Sequence, residues 1–152
     1  MAEGLTIAAE HADRADVRAL LLLVSSWSVD LYPPESRHGL NLADYERPGV
    51  ALLVAREAGV ALGCGAYKLE GAGSAELKSM FVIPEARGRG VGRAILAALE
   101  QALRGRVTTL RLETGIKQDA AIRLYERAGF RHRGPFGSYC DDPHSVFMEK
   151  AL

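Results

Sequence analysis

The segment Phe81-Val82-Ile83-Pro84-Glu85-Ala86-Arg87-Gly88-Arg89-Gly90-Val91-Gly92 constrains this chain more than any other. It passes from an apolar strand pattern, through a proline, into a Gly/Arg loop. A helical pattern follows at once, with Val91, Ile95, Leu96, Leu99 and Leu103 on one face. Glycines let the backbone approach a ligand closely and adopt conformations closed to other residues. The first helical amides have no intrahelical partner, and they face a site that favours negative charge. A pyrophosphate fits such a site, and Arg87, Arg89 and Arg93 add charge around it. Two familiar phosphate loops fail the comparison. The dinucleotide pattern Gly-x-Gly-x-x-Gly ends on Arg93 when counted from Gly88 and on Ile95 when counted from Gly90. The Walker pattern fails because no Gly-Lys-Ser/Thr exists.

The rest of the chain reads as the setting for that loop. Residues 5–9 form a short strand, and Asp13 is placed to cap a helix running through Trp27, with Val17, Leu20, Leu21, Val24 and Trp27 at helical spacing. Tyr32-Pro33-Pro34 breaks that helix. Residues 32–49 are mostly loop, with a short helix near Leu42–Tyr45. Strands are expected at Val50–Arg56, Val60–Leu69 and Ala75–Ile83, the first two joined by a hairpin at Ala58-Gly59. Further elements are a helix from Gly90 to about Arg104, a strand Val107–Glu113, a helix Gln118–Ala128 ended by Gly129, and strands Phe130–Phe136 and Ser145–Lys150. A strand meander followed by strand–helix–strand crossovers implies an α/β (α+β) fold: a mixed sheet with helices on both faces.

Length and charge limit the possibilities. The 152 residues make one ordinary domain, read as 1–152. Nineteen basic residues balance nineteen acidic ones, so the overall field gives no reason to expect nucleic-acid or membrane partners. Cys64 and Cys140 are too few for a disulfide framework, and a reducing cytoplasm is the expected compartment. The opening Met-Ala-Glu-Gly-Leu-Thr lacks the pattern of a secretory leader, and the longest apolar run, Ala19 to Val24, is far too short to span a bilayer.

Two motifs together resemble the GNAT superfamily of N-acetyltransferases. Arg87-x-x-Gly90-x-Gly92 matches its Arg/Gln-x-x-Gly-x-Gly/Ala signature, and Met80-Phe81-Val82-x-Pro84 is similar to the strand that leads into it. Downstream, Ala121-x-x-Leu124-Tyr125-x-x-x-Gly129-Phe130 resembles the second hallmark. The resemblance implies the acyl-CoA N-acyltransferase fold, a mostly antiparallel twisted sheet of about six to seven strands that splays at its central strands. It implies acetyl-CoA as co-substrate and no metal, because the thioester is already activated. Its pantetheine would pair with the backbone at Met80, Phe81 and Val82, near a bulge at 79–82. Its pyrophosphate would lie on the amides of Gly88, Arg89, Gly90, Val91, Gly92 and Arg93, beside Arg87. Gln118 stands where many relatives carry a cofactor-contacting asparagine.

The chemistry requires a neutral amine and a stabilised oxyanion, and the departing thiolate benefits from a proton, for which a phenol is a suitable donor. An alkyl ammonium loses its proton only near pH ~10, so a base or a proton-conducting water chain is needed at neutrality. A backbone amide at the bulge, that of Met80 or Val82, is expected to serve the oxyanion. Tyr125 sits where the family's tyrosine acid sits; its alternative is a core tyrosine on the Ala121–Leu124 stripe. Glu76 lies eleven residues before Arg87, the spacing of the glutamate base in histone-type members. Lys78 shares its strand face and competes by pairing with it. Glu113 is the rival base; its alternative is a cap for the helix near Gln118.

Relatives line the acceptor pocket with the first helix, the loop after it and a late strand connection, here residues 27–38 and 135–144. Tyr32, Glu35, His38, Tyr139 and Asp141 are the lining candidates, an aromatic and acidic set suited to a cationic amine. The expected acceptor is a primary amine of a small molecule or peptide; the sequence does not fix the oligomer, although members of the family it resembles are often homodimers. Two other classes compete: a non-catalytic acyl-CoA-binding or sensing module, and a thiol enzyme built on Cys140 with His144 and Asp141 or Asp142.

Overall fold

The computed structural model describes residues 4–152, the side chain of Ser28 set aside. The elements in chain order are β1 (Leu5–Ala9), α1 (Ala15–Leu31), β2 (Val50–Glu57), β3 (Val60–Glu70), β4 (Ser74–Val82), α2 (Val91–Leu103), β5 (Thr109–Gly115), α3 (Asp119–Arg127), β6 (Arg131–Arg133) and β7 (Ser145–Ala151). They build one seven-stranded sheet in the order β1-β2-β3-β4-β5-β7-β6. Only the β4–β5 pair is parallel, because α2 carries the chain back across the sheet between them.

Alternating side chains divide the core. Leu52, Val54, Cys64 and Ala66 face α1 and join Val17, Leu20 and Leu21. Leu53, Ala55, Leu77, Leu110 and Leu112 face the other way and meet Ile95, Leu99 and Leu103 of α2 and Tyr125 of α3. Helices therefore cover both faces, as the pattern predicts. Close packing of α2 depends on Gly63 and Gly65 of β3. A Cβ on Gly65 would lie 2.5 Å from Met80 Sδ, 2.8 Å from Ile95 Cγ2 and 2.9 Å from Leu99 Cδ1.

Two features of β4 prepare a site. First, the β3–β4 register slips between Cys64 and Ala66, where Ser79 adopts φ 59° and inserts one extra residue. Second, β4 and β5 pair only from Ser74↔Thr109 to Leu77↔Leu112. Beyond those rungs the two strands separate.

Several elements differ from the sequence-based expectation. Helix α1 begins at Ala15, which leaves Asp13 outside the cap position, and it runs four residues past Trp27 before Pro33 stops it. Strand β6 is only Arg131–Arg133, because Pro135 has no N–H to continue the ladder. Val107 joins Arg104 in an isolated bridge, and β5 starts at Thr109. Gly129 ends α3 with φ 98°, as its position predicts. Among the described residues no helix is long and apolar enough to cross a membrane.

Candidate active site

A cleft of about 1430 Å³ opens where β4 and β5 part, and it continues between α2 and α3. Its walls include Met80, Phe81 and Val82, the loop residues Arg87, Gly88, Gly90, Val91, Gly92 and Arg93, then Glu113, Gln118, Leu124 and Tyr125. No side chain caps the start of α2. Gly90 caps the helix in the left-handed conformation, φ 81°, with no side chain bonded back to the first amides. A Cβ on Gly88 or Gly90 would meet open space, so backbone conformation requires these glycines rather than crowding. A cradle of free amides at the positive end of α2, next to Arg87 and Arg93, fits a pyrophosphate.

Arg87 is held in place before any ligand arrives. Its Nε donates to the Val82 carbonyl at 3.1 Å, and its guanidinium lies 4.9 Å from the Trp27 ring and 5.7 Å from the Phe81 ring. Arg89 departs from the expectation. Its Nη2 donates to both oxygens of Glu57, at 2.7 and 2.6 Å, and its side chain does not line the cleft. The carboxylate at the end of β2 draws it away, which leaves only its backbone at the loop.

Tyr125 is 4% exposed, yet it borders the cleft. It packs edge-on against Phe130 with centroids 5.7 Å apart. Burial, and then the charge of Glu113, hold its phenol above the usual range. Its ring is thus packed in the core while the residue also borders the cleft.

The two carboxylates have different surroundings. Glu76 is 4% exposed. It accepts from the Tyr139 hydroxyl and lies 3.2 Å from Lys78 Nζ, the pairing their shared strand face predicts. Lys78 also donates to Tyr139 Oη at 2.7 Å and to the His38 carbonyl at 2.8 Å. Glu113 is half-buried at the separated end of β5 and accepts from Ser145 Oγ at 2.8 Å. It caps no helix. Burial raises its carboxyl above the usual range, and the Ser145 hydroxyl opposes that rise.

A second cavity of about 930 Å³ lies on the α1 side of the sheet. Its walls include Glu35, His38, Tyr139 and Asp141, and it shares Ser36, His38, Gly39 and Lys78 with the main cleft. Ser36 Oγ donates to Asp142 Oδ2 at 2.6 Å, and His38 meets Tyr139 edge-on at 5.0 Å. The loop after α1 and the β6–β7 connection are thus joined over this cavity. Glu35 and Asp141 are exposed at its rim. Tyr32 has a different position. It lies in the main cleft, where Lys117 N–H donates to its hydroxyl at 3.0 Å. It lies so close to Gly115 that a Cβ there would stand 1.9 Å from its oxygen. Tyr32 therefore packs across the end of β5 and is anchored there.

A model of the Acetyltransferase (GNAT) family matches residues 18–130 of this chain. The chain belongs to the GNAT acetyltransferase family. It is 43% identical to the IAA acetyltransferase of Azospirillum brasilense over 98% of this chain and 99% of that one. It is 40% identical, with a TM-score of 0.82 and 97% of each chain covered, to a protein of Klebsiella pneumoniae provisionally assigned as an acyl-CoA N-acyltransferase. A GNAT acetyltransferase of Elizabethkingia anophelis with acetyl-CoA bound matches 99% of this chain and 100% of that one, with a TM-score of 0.72. At 19% identity that likeness shows the fold alone. The protein is an acyltransferase with the acyl-CoA N-acyltransferase fold.

Other features of this GNAT enzyme escape the sequence motifs. Cys140 is exposed, while Asp142 is engaged by Ser36 and by the His144 amide at 2.8 Å. The described hydrogen bonds assemble no thiol–imidazole–carboxylate chain from these residues. Among the described residues no group of three or more His, Cys, Asp and Glu is arranged to hold a metal. Three contributors were not foreseen: Trp27 behind Arg87, Ser145 behind Glu113, and the Gly63-Cys64-Gly65 run opposite the bulge. Only the last had a visible signal, since two glycines inside a strand mark close backbone approach.

Proposed function

We propose that this enzyme transfers the acetyl group of acetyl-CoA to a primary amine of a small molecule or peptide, by direct attack within a ternary complex. The observation that carries the proposal is the meeting of three features in one cleft: the free amides of α2, the bulged strand β4, and Glu113 with Tyr125 at the far wall. Membership of the GNAT acetyltransferase family supports the choice of donor.

Acetyl-CoA would supply an activated thioester when bound. The α2 amides with Arg87 and Arg93 would hold its pyrophosphate, and the backbone of Met80, Phe81 and Val82 its pantetheine. Gln118, half-buried on the cleft wall at the start of α3, is a further contact. The acceptor would enter from the second cavity, past the rim acids Glu35 and Asp141, between His38 and Tyr139. Tyr32 would wall the meeting point.

Glu113 is the base this geometry favours. Its raised carboxyl lies closer to neutrality, where proton transfer from an ammonium is efficient. Glu76 is occupied by Tyr139 and Lys78, so its role here is to hold the acceptor loops. One ammonium proton would pass to Glu113; the neutral nitrogen would then attack the thioester carbon as the carbon–sulfur bond breaks, and the second proton shed by that nitrogen would leave with the CoA sulfur. Tyr125 serves the sulfur by hydrogen bonding. An alkyl thiol ionises near ~8.5 and a phenol near ~10, so complete proton transfer from Tyr125 to sulfur runs uphill even before burial is added.

An amine panel read by CoA release tests the proposal. Release with at least one primary amine, abolished by Glu113→Gln, is the expected result. If acetyl-CoA binds tightly and stays intact across the panel, the sensing module is the better reading. Unchanged transfer by Cys140→Ala would remove the thiol mechanism.

A further inference from the structure

The bulge that separates β4 from its ladder rests on a non-glycine residue in a left-handed conformation. Ser79 has φ 59°, a backbone state disfavoured for any side chain with a Cβ. Such a state persists only where the surroundings over-determine it. Two groups grip Ser79. The Tyr45 hydroxyl and Ser79 Oγ lie 2.6 Å apart, and the Cys64 thiol donates to the Ser79 carbonyl at 3.2 Å. Tyr45 is 9% exposed among Leu52, Val54 and Cys64, so its ring cannot easily turn aside.

The segment that carries Tyr45 is itself fixed. It is a 3-10 turn, Leu42–Glu46, closed by a reciprocal capping box: Asn41 Oδ1 accepts from Asp44 N–H at 3.2 Å, and Asp44 Oδ2 accepts from Asn41 N–H at 2.9 Å. On the far side of the bulge, Met80 Sδ fills the space that a side chain on Gly65 would need. One residue before Ser79, Lys78 holds the His38 carbonyl. The stretch 38–45 therefore touches β4 at two consecutive residues, once beside the acceptor cavity and once at the bulge.

We infer that Tyr45 is a positioning residue, whose hydroxyl locks Ser79 so that β4 stays bulged and Met80 to Val82 remain turned into the donor cleft. Without the lock, Ser79 relaxes toward extended backbone, β4 regains its register with β3, and the pantetheine wall moves. The kinetic part of this inference rests on the acetyl-transfer proposal. The binding part needs only that the cleft takes CoA.

The test uses a glycine as a substitute for the lock, because glycine adopts positive φ without assistance. CoA affinity is measured by titration calorimetry and kcat and KM by CoA release, for Tyr45→Phe, Ser79→Ala, Ser79→Gly and Tyr45→Phe/Ser79→Gly. Tyr45→Phe and Ser79→Ala are expected to weaken CoA binding about tenfold, the scale of one hydrogen bond, and to raise KM for acetyl-CoA by a similar factor. Adding Ser79→Gly to Tyr45→Phe is expected to restore most of the affinity. Wild-type affinity in Tyr45→Phe overturns the inference. So does a double variant as weak as Tyr45→Phe alone, since the ring would then act by packing. If Tyr45→Phe does not fold, Ser79→Ala against Ser79→Gly poses the same question. If the wild type binds CoA but releases none with any amine, the transfer proposal fails while the binding comparison still decides the role of Tyr45.

Discussion

At the scale of single residues, burial raises two acids with different consequences: it brings one closer to neutrality and takes the other further from it. Glu113 has its carboxyl raised by burial, and Tyr125 has its phenol raised by burial and by Glu113. The acid limb of kcat/KM against pH is expected to sit above the ordinary glutamate value of about 4.3, and Glu113→Gln is expected to remove that limb and lower the rate about 10²- to 10⁴-fold. Glu76→Gln is expected to keep the limb, and its loss there would reverse the assignment. The same shift has a stability consequence with a definite sign. Folded Glu113 binds its proton more tightly than the unfolded chain does. Its contribution to stability is therefore present at acidic pH and is lost as pH rises from the unfolded value to the folded one. Glu113→Gln is thus expected to unfold at a temperature no lower than the wild type near neutrality, despite its lowered rate. Tyr125→Phe removes one hydrogen bond to a charged sulfur, so turnover is expected to fall about 10- to 100-fold with CoA affinity nearly unchanged. A fall in affinity to match would recast Tyr125 as a binding residue.

At the scale of elements, what was legible in the sequence depended on how local the signal was. The β4–loop–α2 unit was readable because its cues lie within about a dozen residues and each has a mechanism: a proline stop, glycines, then an apolar helical face. Glu76 and Lys78 were readable as a pair because two residues along a strand share a face. The pairing of Arg89 with Glu57 was not readable because Glu57 lies at the end of another strand. Tyr45 and Ser145 were invisible for the same reason, since each meets its partner more than thirty residues away. The preference for Glu113 over Glu76 needed the contact of Glu76 with Tyr139, sixty-three residues away, which no periodicity supplies. Gly90, which caps α2, and Gly92, in its first turn, now separate by mechanism. Gly90→Val forces a β-branched residue to φ 81° and is expected to abolish CoA binding. A Cβ on Gly92 would meet Leu124 at 3.5 Å and Val82 at 3.6 Å, ordinary contact distances. Gly92→Ala is therefore expected to bind CoA within about threefold of wild type, a difference well under 1 kcal/mol. Gly65→Ala, by contrast, drives a methyl into Met80, Ile95 and Leu99 and is expected to cost about 1–3 kcal/mol in a denaturant titration.

At the scale of the whole molecule, an antiparallel half, β1 to β4, meets a second half, β5, β7 and β6, through only four parallel rungs. The cleft is the place where that seam opens, so the fold does not exist apart from the site. The outer edge needs its own fastening, and Arg56 supplies it. Its Nε and Nη2 donate to the two oxygens of Glu10 at 2.7 and 2.8 Å, and its Nη1 donates to Asp16 at 2.6 Å and to the Gly59 carbonyl at 2.8 Å. One guanidinium thus ties β2 to the start of α1. Hydrogen bonds from Arg56 hold Glu10 below the usual carboxylate range. That contribution is present above the ordinary glutamate value and is lost as pH falls through the lowered one. Arg56→Met is expected to cost about 1–2 kcal/mol, and each kcal/mol lowers the thermal midpoint of a chain this size by about 2–4 °C. An unchanged midpoint would mean that solvent screens the fastening completely.

Trp27 is the chain's one tryptophan, and it lies against the cation that guards the phosphate loop. The protein therefore carries a built-in optical probe at the point where the donor would enter. A pyrophosphate that draws the guanidinium off the indole is expected to change the intrinsic fluorescence, so loading can be followed in a stopped-flow instrument without any label. Trp27→Phe should silence the signal while leaving CoA bound.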